Sequence, residues 1–168
     1  MKQQAISELQ EANARFRDVL NGFTQEQFNK VPFSGSWTAA QVADHILKSQ
    51  ASTPDFFQGT VQATERAPDA QIAGIRDIMM NFDAKMQAPE FILPSESPLD
   101  KGELLQALQL VDEATRKVAQ ELDLTATCMD FELPVLGNMT RLEWVYFMVY
   151  HTRRHTHQLE MIRQRLAG

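Results

Sequence analysis

The stretch Thr140-Arg141-Leu142-Glu143-Trp144-Val145-Tyr146-Phe147-Met148-Val149-Tyr150-His151-Thr152-Arg153-Arg154-His155-Thr156-His157-Gln158 decides how this chain folds. Thr140 followed by Glu143 forms a capping box, and Met139 and Trp144 are placed as its hydrophobic staple, so a helix starts here. From that start one seam, stepping by four and three, reads Trp144, Met148, His151, His155, Gln158, Ile162. Such a seam faces the core of a helix bundle. It is apolar at both ends and polar in the middle. An unpaired polar group facing a core costs roughly 1–3 kcal/mol, so three in succession call for a common explanation. His151 and His155 are spaced i, i+4, which sets both imidazoles on one face about one turn apart.

The helix predicted over 140–166 has three long companions. Ile6, Leu9, Asn13, Phe16 and Leu20 advance in steps of three and four over 3–21, and Asn21-Gly22 stops them. A loop with Pro32 and Gly35 follows. Thr38 and Gln41 make a second capping box, with Trp37 placed to staple on Val42. This second helix spans 38–57, ending before Pro54 or running on in distorted form. Pro68-Asp69 opens a short helical stretch over 69–82, and 88–98, with three prolines, reads as an extended crossover. Asp100 and Glu103 make a third capping box ahead of Leu104, Leu108, Val111, Val118 and Leu122, which gives a helix over 100–123. Residues 125–137 are a connector. The prediction is an all-α chain: one domain over 1–168, a four-helix bundle with long crossover connections.

Composition narrows the function classes. The 168 residues are 43% apolar and 23% charged with a net charge of −6, ordinary for a globular protein. Lys and Arg are scattered rather than grouped, so no nucleic-acid groove is expected. A lone Cys128 excludes an internal disulfide framework and a cysteine-based zinc site, and fits a reducing cytoplasm. The start, Met1 to Glu8, has no apolar signal region, and the longest apolar run, Trp144 to Tyr150, is too short to span a bilayer. A cytoplasmic protein with no membrane or nucleic-acid partner is expected.

The second helix repeats the pattern of the last. Its seam reads Thr38, Val42, His45, Ser49, Ser52, Phe56: a histidine in the middle, then small hydroxyl residues that leave room. Facing seams of this kind describe a polar pocket. If the two helices are neighbours, His45, His151 and His155 bring three neutral nitrogens together, the ligand set of a catalytic divalent-metal site with an open position. A core histidine satisfied by hydrogen bonds is the better account of His45 taken alone, and the i, i+4 pair taken alone is even between the two readings; together, both on core stripes, they favour the metal. Gln158, one turn beyond His155, is placed to support the site, orient a ligand or fill the seam. Arg154 flanks the pair, as an anion binder or in a surface salt bridge. Asp44 points about 100° away from His45, and His157 about 120° away from His151, so neither is read as a ligand. The candidates for a fourth protein ligand are Gln158, a poor one, and Asn13 from the first helix. Cys128 reads as a small buried hydrophobe. The run from Trp144 to Tyr150, apolar all round, marks either a central buried helix or a subunit interface.

These residues resemble the DinB-like or YfiT-like superfamily of bacterial four-helix-bundle metalloproteins. Its first motif, a tryptophan with a following Ser or Thr and then a mid-helix histidine, is matched by Trp37-Thr38 and His45. Its second, a histidine, a pair ending in histidine four residues on and a glutamine three further, is matched by His151, Arg154-His155 and Gln158, with Gly137 to Trp144 resembling the lead-in. The resemblance covers essentially the whole chain. It implies a divalent metal, commonly nickel or zinc, on His45, His151 and His155, and a homodimer. It also implies a low-molecular-weight thiol as co-substrate. Better understood relatives are a mycothiol-dependent maleylpyruvate isomerase and bacillithiol transferases, in which the metal is thought to hold the thiol as a thiolate.

Two functions are therefore carried forward. One is a metal-dependent S-transferase or isomerase that joins a small thiol to an electrophile, with Gln158, Arg154 and Ser49 supporting the site or meeting the substrate. The other is a stress-response or ligand-binding protein with a non-catalytic metal site. No Ser-His-Asp set or glycine-rich phosphate loop competes with either.

Overall fold

A computed structural model describes residues 1–167. Four long helical elements make the bundle: α1 (Lys2–Asn21), α3 (Ala39–Ala51) continued by α4 (Thr53–Phe57), α6 (Lys101–Glu121) and α7 (Arg141–Ala167). A four-residue α2 (Gln25–Phe28) lies in the first loop, and α5 (Ile72–Met79) packs on α7. The strands β1 (Val61–Gln62) and β2 (Thr127–Cys128) pair antiparallel, Val61 with Cys128 and Gln62 with Thr127. Around the bundle, α1 packs on α6 and α7, and α3 also packs on α6 and α7. The condition for bringing His45 to His151 is thus met.

The caps expected from the sequence form with one exception. The Thr38 hydroxyl accepts from Gln41 N and the Gln41 side chain accepts from Thr38 N. Thr140 and Glu143 are reciprocal in the same way. At α6 only the Asp100 half of the box forms, with the carboxylate accepting from Glu103 N at 2.9 Å. The 38–57 helix is in two pieces. Pro54 has no N–H to continue the ladder, so the helix breaks at Ser52 and restarts with Phe56 N on Ser52 O. Thr24 and Gln27 form a further capping box, which starts α2 inside what reads as loop. The 88–98 crossover holds one 3-10 turn, Glu90–Ile92.

The core is two apolar clusters stacked along the bundle. One joins Ala5 to Ala12 of α1, Phe57, Ile75, Val118 and the apolar half of α7 up to Tyr150. The other joins Phe16 to Leu20, Ala39 to Ile46, Leu104, Leu108, Leu159 and Ile162. Between them a polar belt crosses all four helices. Asn13 donates to the Asp112 carboxylate at 2.8 Å and Thr152 donates to Asn13 at 3.3 Å. Gln50 donates to the Thr152 hydroxyl at 2.9 Å, and Arg17 pairs with Asp112 at 3.0 Å. Each helix changes from apolar to polar at the same height, which is why the α7 seam does so.

The apolar run of α7 is consumed by the protomer: Val145 and Val149 are wholly buried and Trp144, Tyr146, Met148 and Tyr150 nearly so. Phe147, in the same run, is half-buried, and the burial of the others is what the central-helix reading expects. Among the described residues no helix is long and apolar enough to cross a membrane.

Candidate metal centre

His45, mid-helix on α3, faces His151 and His155 on α7. His151 Nε2 lies 3.2 Å from His45 Nε2 and 3.1 Å from His155 Nε2, and one ring nitrogen from each of the three falls within 4.8 Å of the others. Metal–imidazole bonds of 2.0–2.1 Å at a tetrahedral angle separate neighbouring nitrogens by roughly 3.3 Å. The observed contacts suit a single small ion.

The outer nitrogens fix which lone pairs point inward. The Ile92 carbonyl, 2.9 Å from His45 Nδ1, can only accept, so that nitrogen carries the proton and Nε2 is bare. The Gln158 side-chain oxygen does the same for His155 Nδ1 at 2.8 Å. This arrangement of a ligand's far nitrogen on a carbonyl is the usual way a metal-binding histidine is oriented. His151 therefore faces two bare nitrogens, and a proton on its own Nε2 can satisfy only one of them. A cation at the centre satisfies all three.

Protonation does not relieve the cluster at neutral pH. Burial lowers the His45 pKa, against the pull of the Ile92 carbonyl and Asp44. His151 is held well below the ordinary range, first by burial and then by His155, His45 and Arg154. His155 is half-buried as a whole residue, with its Nε2 edge 3.1 Å from Nε2 of buried His151. Burial of that edge, together with His45, takes its pKa down to about 3 despite Gln158. Neutral imidazoles are the form that binds a metal.

The rings are also walled. Trp37 stacks with His155 (centroids 6.4 Å apart, planes 17°) and lies tilted against His45 at 5.1 Å. Phe147 stacks on His151 at 5.5 Å and 24°. Four α3 side chains spaced along one face strap the crossover over the site. Gln41 donates to Ser95 O and Asp44 accepts from Ser95 N. His45 holds Ile92 O and Lys48 donates to Leu93 O. Asp44 also pairs with Lys48 at 2.9 Å, so it is a strap residue and not a ligand. The sequence reading missed Ile92, because a backbone carbonyl has no residue signature. Trp37, expected both as a staple and in the tryptophan motif that accompanies His45, packs on the cluster containing Val42 and also walls the site. Phe147 reads from the sequence only as part of an apolar run, and its place one turn before His151 is the signal that marks it.

Three sequence assignments need correction. Arg154 is neither an anion binder nor a surface ion pair: its guanidinium donates to the carbonyls of Met79, Asn81 and Ala84, closing the end of α5, though its charge still disfavours protonation of His151 and His155. Ser49 does not support the site through its hydroxyl, which donates back to Ile46 O at 2.8 Å. Asn13 is no fourth ligand, since the polar belt takes its amide. His157 lies apart from the three, stacked on Phe82 at 4.2 Å. Cys128 is buried, and burial pushes its thiol up to about 11, in keeping with an inert hydrophobe.

Comparison with known proteins gives a consistent picture. The family pattern of the DinB superfamily matches residues 8–159. The uncharacterized protein YuaE of Bacillus subtilis (strain 168) is 24% identical over 169 aligned residues, covering 96% of this chain and 98% of YuaE. The solved structure of YfiT from Bacillus subtilis, described as a probable metal-dependent hydrolase with an unusual four-helix bundle topology, superposes with a TM-score of 0.65. It has 16% identity and covers 99% of this chain and 87% of YfiT. At that identity the likeness is one of fold.

Proposed function

The chain belongs to the DinB superfamily, and on that premise we propose that it is a divalent-metal-dependent enzyme that uses a low-molecular-weight thiol, as an S-transferase or a thiol-dependent isomerase. The observation that carries this reading is the convergence of three histidine Nε2 atoms, those of His45 and His155 bare and turned on that of His151. His45, His151 and His155 would hold a nickel or zinc ion. Asn13 and Gln158, the remaining candidates for a fourth protein ligand, are both engaged elsewhere. Three protein ligands with a position left over are the pattern of catalytic sites, whereas structural sites are closed by four.

A divalent ion in a neutral histidine shell supplies the positive charge that keeps a bound thiol or water deprotonated near neutral pH. The residues around it do the rest. Ile92 and Gln158 hold two rings in the tautomer that binds. Trp37 and Phe147 fix ring planes and keep water from the inner side. Among the described residues the metal-binding cluster contains no carboxylate, and the nearby Asp44 carboxylate is held by Ser95 N and Lys48 rather than free to act as the general base that metal-assisted hydrolysis commonly employs. A thiolate, already ionised, needs no such base.

The test is a comparison of metal-loaded and metal-stripped protein in a thiol-conjugation screen with small thiols and a chromogenic electrophile. Loss of thiol that requires the metal is the expected result. Ester hydrolysis that needs the metal but no thiol would overturn the reading in favour of the activity for which YfiT is described. Inactivity in both screens, with metal bound, would favour a binding protein.

A further inference from the structure

Five aromatic rings run in a continuous series of contacts from the histidines to the surface. Phe147, stacked on His151, meets Trp144 edge-on at 5.5 Å. Trp144 meets Phe56 edge-on at 5.2 Å and lies 5.9 Å from Phe131. Phe131 meets Phe91 at 6.2 Å. The rings come from α4, the 3-10 turn, the connector after β2, and α7. Exposure rises outward: Trp144 is 8% exposed, Phe131 40% and Phe91 69%. Large rings left in water on two separate connectors are unusual unless something covers them.

The same series contains an orphan donor. The indole N–H of Trp144 is wholly buried and has no hydrogen-bond partner. Buried Trp N–H groups normally find one. The exposed rings and the unmet donor have one remedy in common, a flat apolar molecule carrying an acceptor oxygen. The five rings contribute no cation, so a carboxylate there would be desolvated without a counter-charge; the acceptor is an uncharged carbonyl. Trp144 and His151 are seven residues apart on α7, on the order of 10 Å along the helix. That distance sets the length of the molecule.

We propose that this aromatic series is the substrate cleft of the histidine site, and that it takes an aryl compound with its reacting end at the histidines, its ring against Phe147 and Phe131, and a carbonyl oxygen on the Trp144 indole N–H. The inference rests on the metal-site reading above and names the substrate class for it. Phe131 yields to admit the acceptor, since it sits half in solvent on a connector.

Three hydroxamates that share one chelating head test this on the metal-loaded protein by titration calorimetry: acetohydroxamate, benzohydroxamate and 4-acetylbenzohydroxamate. Burying the ring should tighten binding at least about tenfold over acetohydroxamate. The acetyl oxygen should add about fivefold, the worth of one neutral hydrogen bond. Trp144→Phe should keep the gain from the ring and lose that from the acetyl group. Phe131→Ser, a change at a half-exposed position, should lower the gain from the ring while leaving acetohydroxamate affinity as it was. Equal affinity for the first two probes would overturn the cleft and leave the metal site standing. An acetyl gain that survives in Trp144→Phe would overturn the role of the indole. Failure of all three to bind would overturn the open metal site and this inference with it.

Discussion

His151→Ala separates a metal site from a merely hydrogen-bonded histidine cluster. The His151 Nε2 atom is in contact with both partners, at 3.2 Å and 3.1 Å, so its removal takes away the centre of the set. A ligand that binds only the folded state, present at about 100 times its Kd, stabilises by roughly 2.7 kcal/mol. For a chain of this size each kcal/mol moves Tm by about 2–4 °C, so wild type should gain roughly 5–11 °C. The quantity to compare is Tm with metal minus Tm without it, for each protein. The variant loses packing of the ring on Phe147, but that loss is common to both of its states and cancels. Scanning calorimetry at pH 7.5 with nickel or zinc, paired with elemental analysis, should show the gain in wild type and its disappearance in His151→Ala. His157→Ala, whose ring stacks on Phe82 instead, should keep the full gain. An equal gain in wild type and His151→Ala would refute the reasoning, as would no gain in wild type.

Asp112→Ala should be costly, because it strands the buried amide of Asn13 and the guanidinium of Arg17; about 3 kcal/mol is expected, read as a lower urea midpoint of the metal-free protein. Arg154→Met should release the carbonyls of Met79, Asn81 and Ala84 and speed amide exchange over 80–85 while metal stoichiometry stays at the wild-type value. The metal-free protein should lose stability as pH falls below about 6.5. Its three site histidines have folded pKa values below those of the unfolded chain, to about 3 for His155. The unfolded state then binds more protons below 6.5, and stability is full above that pH and declines toward the folded values. The slope approaches about 1.4 kcal/mol per pH unit for each histidine. Urea midpoints between pH 7 and 4.5 should fall less steeply in His155→Ala, and equal slopes would count against this account.

The sequence by itself determined what depends on neighbours along the chain. Seam periodicity fixed the four helices, the Thr38 and Thr140 boxes fixed two starts, and mid-seam histidines marked the site, because a polar group facing a core must be explained wherever the partner lies. Bounds slipped where one residue overrides a pattern, as Pro54 does at Ser52. What the tertiary structure decided is pairing over distance. The Ile92 carbonyl, 47 residues from His45, sets that ring's tautomer. The three carbonyls held by Arg154 are 70 to 75 residues away, and the Asp112 that claims Asn13 is 99 away. Neither a backbone acceptor nor the choice among equivalent polar partners leaves a residue signature. Those choices are made when the helices pack, because each buried donor must then take the acceptor that the packing brings within reach.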